Sequence, residues 1–173
     1  MFRSTAAKAG LLGLVALAGC SARQPGEELA RPRPVFDVAA FFAGRTHGDA
    51  TLKIIFKDPE PVRVEGNGRA APDGTLVLDQ VVRRGKRAPE SRQWRFRPLG
   101  GNRYAGTLTD ATGPVSGEVH GNMLHLRYPM KDSVSAEQWI YLQPDGRTAL
   151  NRMRLTKLGL TVGRLDETIR KLD

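Results

Sequence analysis

The chain has 173 residues, 40% of them hydrophobic and 26% charged, with 27 Lys and Arg against 18 Asp and Glu. That length suits one domain with a core large enough to fold alone, and the single cysteine, Cys20, excludes an intramolecular disulfide framework. A net charge of +9 is compatible with nucleic acid, an anionic membrane face or a solvated surface, and the export signal described next excludes nucleic acid as a sensible partner.

Arg3 and Lys8 precede an apolar run over 9–18 that ends in Leu17-Ala18-Gly19-Cys20. A charged start and a short hydrophobic middle are the pattern of a secretory signal, and the run is too short to span a bilayer. The tetrapeptide resembles a bacterial lipobox, in which the Cys sulfur takes a diacylglyceryl group and the signal is cut just before it. Only a thiolate is nucleophilic enough for that step. The sequence therefore predicts a signal peptide over 1–19, with Cys20 lipidated and the partner a membrane lipid layer. Ser21 follows the Cys, and a residue other than Asp there resembles an outer-membrane sorting signal. The expected address is the cell envelope, on the periplasmic face of the outer membrane.

Residues 20–34 read as the lipidated Cys followed by a flexible tether. Pro25, Gly26, Pro32 and Pro34 stand among polar residues, and such a stretch cannot bury enough surface to order itself. Fully extended, 21–34 would reach about 45 Å. The folded domain is expected over 35–173. Phe36, Phe41 and Phe42 before Gly44 predict a helical turn or entry loop that plugs one end of the core.

From 50 onward the chain divides into short segments separated by turn signals: 50–57, 62–70, 75–84, 90–98, 103–109, 115–120, 123–130, 134–143 and 148–157. Leu76, Leu78 and Val82 alternate with Val77, Asp79 and Arg83, and Trp94 and Phe96 with Gln93, Arg95 and Arg97. The last segment, 160–172, is ambiguous. Leu165, Ile169 and Leu172 have helical spacing, whereas Thr161-Val162-Gly163 begins like a strand. About ten strands with short connections predict a mainly β fold, an antiparallel up-and-down lipocalin-like barrel, with a two-sheet sandwich as the alternative.

The hairpin at Gly121-Asn122 sets Glu118 opposite His125 and His120 opposite Met123, so that these four share one face. Two His and one Glu are short of an ordinary zinc site, and a solvated polar face is the simpler reading. No metal or other cofactor is expected. Arg83, Arg84, Lys86 and Arg87, followed by Arg92, Arg95 and Arg97, could meet lipid phosphates or simply be solvated. No Gly-x-Ser-x-Gly, His-Glu-x-x-His or phosphate loop is present, no catalytic residue is predicted, and the chain is not read as an enzyme.

Several motifs add to this pattern. They are Phe41-Phe42-x-Gly44, Trp94-Arg95, Arg103-Tyr104-x-Gly106-Thr107, Gly117-Glu118-x-x-Gly121-Asn122, Leu126-Arg127-Tyr128 and Trp139-x-Tyr141-Leu142. The most specific is Asn151-Arg152-x-x-x-Thr156-Lys157-x-Gly159-x-x-Val162-Gly163. Together they resemble a bacterial lipoprotein family of unknown function, DUF3833. The resemblance implies a lipid-anchored envelope protein with a lipocalin-like fold and supplies no reaction.

Candidate ligand-binding residues are Trp94, Trp139, Asn151, Arg152 and Lys157. The aromatics serve either the core or a ligand. The polar three either orient a ligand's carboxylate inside the barrel or satisfy backbone at its end. The expected function is a lipid-anchored module that binds an apolar or amphipathic ligand. The alternative is a structural or interaction protein whose barrel is filled by its own side chains. An interior cavity of roughly 300 Å³ or more would favour binding. The oligomeric state is left open.

Overall fold

A computed structural model describes residues 24–173. The expected signal peptide over 1–19, the expected lipidation at Cys20 and residues 21–23 lie outside the described residues. Ten strands run in order: β1 (Gly44–Ile54), β2 (Glu60–Ala70), β3 (Leu76–Arg84), β4 (Glu90–Pro98), β5 (Arg103–Leu108), β6 (Val115–His120), β7 (Met123–Pro129), β8 (Val134–Leu142), β9 (Thr148–Lys157) and β10 (Leu160–Lys171). Each pairs antiparallel with its sequence neighbour, and β10 returns to pair with β1, so the meander closes. The sandwich alternative is thereby excluded, and the sheet has no free edge to template aggregation.

The alternation sets which side chains fill the interior. Leu76 and Leu78 of β3, Trp94 and Phe96 of β4, and Leu124 and Leu126 of β7 point inward and are buried. Two departures from the predicted segments have one cause. β1 starts at Gly44 rather than at 50, because its first inward positions are Thr46 and Gly48 and carry no apolar signal. The ambiguous last segment is strand β10: Leu165 and Ile169 point inward together with Glu167 between them, and the charge on Glu167 disguises a period of two as a period of four.

A short helix, α1 (Val38–Phe42), closes one end as predicted. The Asp37 side chain accepts from the Ala40 N–H at 2.9 Å and caps it. Phe36, Phe41 and Phe42 meet at centroid distances of 4.9–6.2 Å. Burying each ring contributes about 1.5–3 kcal/mol.

Residues 24–34, expected as the outer part of the tether, lie along the outside of the barrel. Leu29 packs on Met123, Trp139 and Tyr141. Gln24 Nε2 donates to the Tyr141 hydroxyl at 2.8 Å, and that hydroxyl donates to the Pro25 carbonyl at 2.9 Å. Buried Asn122 fastens the strap. Its Oδ1 accepts from the Arg31 N–H at 2.7 Å, and its Nδ2 donates to the Leu29 and Leu142 carbonyls at 3.1 and 2.9 Å. The neighbouring Gly121 has φ 56°, and a β-carbon there would run into the Arg31 carbonyl, so the turn is kept small to admit the strap. Composition misses this because the order comes from a few directed hydrogen bonds and one leucine, with no apolar run.

Candidate functional site

A belt of polar side chains crosses the barrel interior at mid-height. Gln138 Nε2 donates to the Tyr128 hydroxyl at 2.6 Å, and Asn151 Nδ2 donates to Gln138 Oε1 and to Glu167 Oε2, both at 2.9 Å. On the facing wall, Gln80 Oε1 accepts from Arg92 Nε at 2.8 Å and Trp94 Nε1 at 2.9 Å. Burial pushes the Glu167 carboxyl above its ordinary range, against a smaller opposing effect of the Asn151 hydrogen bond. Burial also pushes the Tyr128 hydroxyl up to about 12. Gly48 makes room for the carboxyl: a β-carbon there would run into Glu167 Oε1.

Below the belt, toward α1, the interior is packed to a void of about 30 Å³. Above it lies a cup of about 140 Å³, walled by Leu52, Val62, Val64, Val82, Met153, Leu155 and Leu165, with Arg84, Glu90, Asp110 and Met130 toward its mouth. Arg92, Gln138, Asn151 and Glu167 line both spaces and form the floor of the cup. Asn151 Oδ1 is buried there with no hydrogen-bond partner among the described residues. An unpaired buried acceptor is costly, and a donor group on an incoming molecule would relieve it.

The five predicted residues separate by parity along their strands. Trp94 and Asn151 face the interior. Trp94 stacks on Phe96 with centroids 5.4 Å apart and has core rather than cup contacts. Trp139 and Arg152 are on the outer face and do not line the interior. Trp139 lies between the His125 ring at 5.0 Å, the Arg154 guanidinium at 5.0 Å and Leu29 of the strap. Arg152 pairs with Asp166 at 3.4 Å. Lys157 is exposed at the end of β9, on the rim of the cup end. Sequence reasoning misses Glu167 and Gln138 and groups Arg92 with the lipid-facing or solvated basic cluster, because a charged or amide residue on an inward position reads as an outward one.

The hairpin register is as predicted, with Glu118 opposite His125 and His120 opposite Met123. The two imidazoles go to different carboxylates, His120 to Glu118 at 3.3 Å and His125 to Glu137 at 3.4 Å. Among the described residues no three His, Cys, Asp or Glu side chains converge as a metal site. Most of the basic cluster is paired: Arg83 with Glu65 at 3.0 Å, and Arg84 and Arg87 with Glu60 at 3.4 and 3.6 Å. A wider depression of about 780 Å³ crosses the outside of β1 to β4. It is open, and Asp79 at its side is already held by Arg69 and Gln93 at 2.7 and 2.6 Å, so the cup is the stronger candidate site.

The model of the family described as "Protein of unknown function (DUF3833)" matches residues 14–171. The chain belongs to the DUF3833 family. No curated protein matches this DUF3833 chain. Among solved structures it is similar to the S-type phycobiliprotein lyase CPES from Guillardia theta, at a TM-score of 0.62 and 10% identity, covering 87% of this chain and 99% of that one. It is also similar to a DUF3598-family protein of unknown function from Nostoc punctiforme, at a TM-score of 0.57 and 14% identity, over 81% of this chain and 50% of that one. A third is Rv2717c from M. tuberculosis, at 0.55 and 14%, over 76% and 93%. At such identities the likeness establishes the fold alone, and the DUF3833 barrel is lipocalin-like.

Proposed function

We propose that this DUF3833 protein is a lipid-anchored envelope module that binds one end of an amphipathic, lipid-like molecule in the open half of its barrel. The observation that carries the reading is the cup, whose apolar walls enclose a polar floor with the unpaired Asn151 Oδ1. A barrel built only to be solid would fill that half with apolar side chains. The cup's 140 Å³ is below the 300 Å³ or more of ordinary small-molecule pockets, so it fits a polar head or a short alkyl segment and leaves the rest of the ligand at the mouth. The likeness to a phycobiliprotein lyase supports a barrel used for binding by analogy of fold.

The anchoring reading rests on Leu17-Ala18-Gly19-Cys20. With the strap docked from Gln24, four residue steps join Cys20 to the barrel, a reach of about 15 Å rather than 45 Å. The anchor would then hold the barrel close against the bilayer, on the periplasmic face of the outer membrane.

The small volume gives the second reading, a non-enzymatic structural or interaction protein, its own support. Native mass spectrometry of the full-length protein separates the two. The binding reading expects a non-covalent lipid-sized mass that is lost when Val82→Trp fills the cup and kept when Leu99→Ser alters the opposite end. Identical bare-protein spectra for all three would leave only the structural reading.

A further inference from the structure

The turns around the cup's mouth are unusual. β1 and β2 are joined through Ile55 and Phe56, and β9 and β10 through Leu158 and Gly159. Because β1 pairs with β10, these two turns are neighbours at the same end. Among the described residues seven large apolar side chains are strongly exposed, and four of them are Ile55, Phe56, Leu158 and Leu160 of this pair. Phe56 is 100% exposed and Leu158 87%. Scattered exposed hydrophobes need no explanation, but a cluster on adjacent loop tips does.

The backbone supplies a second, independent observation. Phe56 has φ 61° and Leu158 φ 51°, and Gly159 follows at 79°. A two-residue turn with both φ values positive favours Asn-Gly, because a side chain branching beyond a full-sized β-carbon is strained there. The chain places a bulky apolar residue at both tips, exposed to water and in a backbone conformation that disfavours it. Neither local conformation nor core packing explains these side chains.

The charges around the tips point to the occupant. Lys57 follows Phe56, and Lys157 precedes Leu158. Just behind the tips, Lys53 sits opposite Arg164, while Arg154 beyond it is already paired with Glu137 of β8. Directly opposed like charges destabilise a sheet unless something anionic meets them. Asp58 follows Lys57 in the turn, but among the described residues Lys53, Lys57, Lys157 and Arg164 form no ion pair. Apolar tips backed by uncompensated cations are complementary to an anionic phospholipid surface, whose acyl region receives the side chains and whose phosphates receive the ammonium groups.

We infer that the paired β1–β2 and β9–β10 turns form a membrane-insertion edge: Phe56 and Leu158 enter the headgroup–acyl boundary of an anionic leaflet, with the cup opening onto it. This inference goes beyond ligand binding, and it requires only that the barrel reach a bilayer.

The test uses the full chain reconstituted with vesicles of phosphatidylcholine and phosphatidylglycerol whose acyl chains are brominated near the headgroup. Phe56→Trp and, as a control at the opposite end, Leu99→Trp each add one exposed indole, while native Trp94 and Trp139 are buried. The edge expects the added Phe56→Trp emission to fall by about half or more, and less so without phosphatidylglycerol, with Leu99→Trp little changed. Leu158→Asn should weaken the quenching several-fold while the variant melts no lower than the parent, which separates lost insertion from lost folding. Equal quenching at both ends, or none at Phe56→Trp, overturns the inference. So does a concentration-dependent dimer in sedimentation that Phe56→Ser abolishes, since the tips would then cover one another. Flotation of the unaltered chain reports anchoring separately, so failure of the anchor and failure of the edge are distinguishable.

Discussion

At one end of the barrel the side chains that alternation turns inward are aromatic and aliphatic, and α1 together with Phe36 just before it brings three more phenylalanines onto them. At the other end the same alternation delivers shorter aliphatic residues, which leave a cup, and between the two lies a belt of amides, a carboxyl and a guanidinium. Outside, the closed end has polar turns such as 143–147 and the open end has Phe56 and Leu158. One strand rule thus yields a packed, stabilising half and a loosely filled half. The difference is set by side-chain size and by what caps the barrel, not by topology.

Truncation at the two ends breaks this contrast most strongly. Phe42→Ala, in the plug, is expected to destabilise by about 3–5 kcal/mol in urea unfolding, as large cavities in packed cores do. Met153→Ala, in the cup wall beside existing free volume, should cost about 2 kcal/mol or less. Equal costs would mean that the open half is as tightly packed as the closed one.

The strap gives the next largest effect. Asn122→Ala removes three hydrogen bonds to Arg31, Leu29 and Leu142 and is expected to cost about 2–3 kcal/mol. Its more specific signature is in amide hydrogen exchange: Asn122 N–H and Ala30 N–H near the strap should lose protection before the strands do. Unchanged exchange over 24–34 would show that the strap does not depend on Asn122.

The belt sharpens the contrast through pH. Burial raises the Glu167 carboxyl, so the folded state holds that proton to higher pH than the unfolded chain does. Its contribution to stability is therefore complete below the unfolded carboxyl's range and declines as pH rises through the folded one. Glu167→Gln cannot titrate, so stability measured from acid to neutral pH should decline less steeply than in the parent. A parallel profile would place the charge in contact with water. The smallest effect belongs to the rim: Leu158→Asn should raise stability by up to about 1 kcal/mol, by relieving a left-handed leucine.

How much of this was legible follows the same division. The closed end was readable because Leu76, Leu78, Trp94 and Phe96 obey a simple alternation and the phenylalanines cluster before Gly44. The hairpin register was readable because a two-residue turn fixes it. The belt was not, because inward Thr46, Gln138 and Glu167 look like surface residues until the barrel closes around them. Trp139 is a different case: it reads as core by hydrophobicity and it is buried, but on the outer face, beneath His125, Arg154 and the strap. The strap itself depends on Asn122, which in sequence is only half of a turn.

The contrast between the two halves is tested most directly by methyl NMR of full-length protein labelled at Leu and Val and titrated with decanoate, a short amphipathic probe. The account predicts saturable shifts at Leu52, Val62, Val64, Val82 and Leu165, with Leu76, Leu78, Leu124 and Leu142 unmoved. Shifts spread evenly over both sets, or absent from the cup at saturating decanoate, would contradict it.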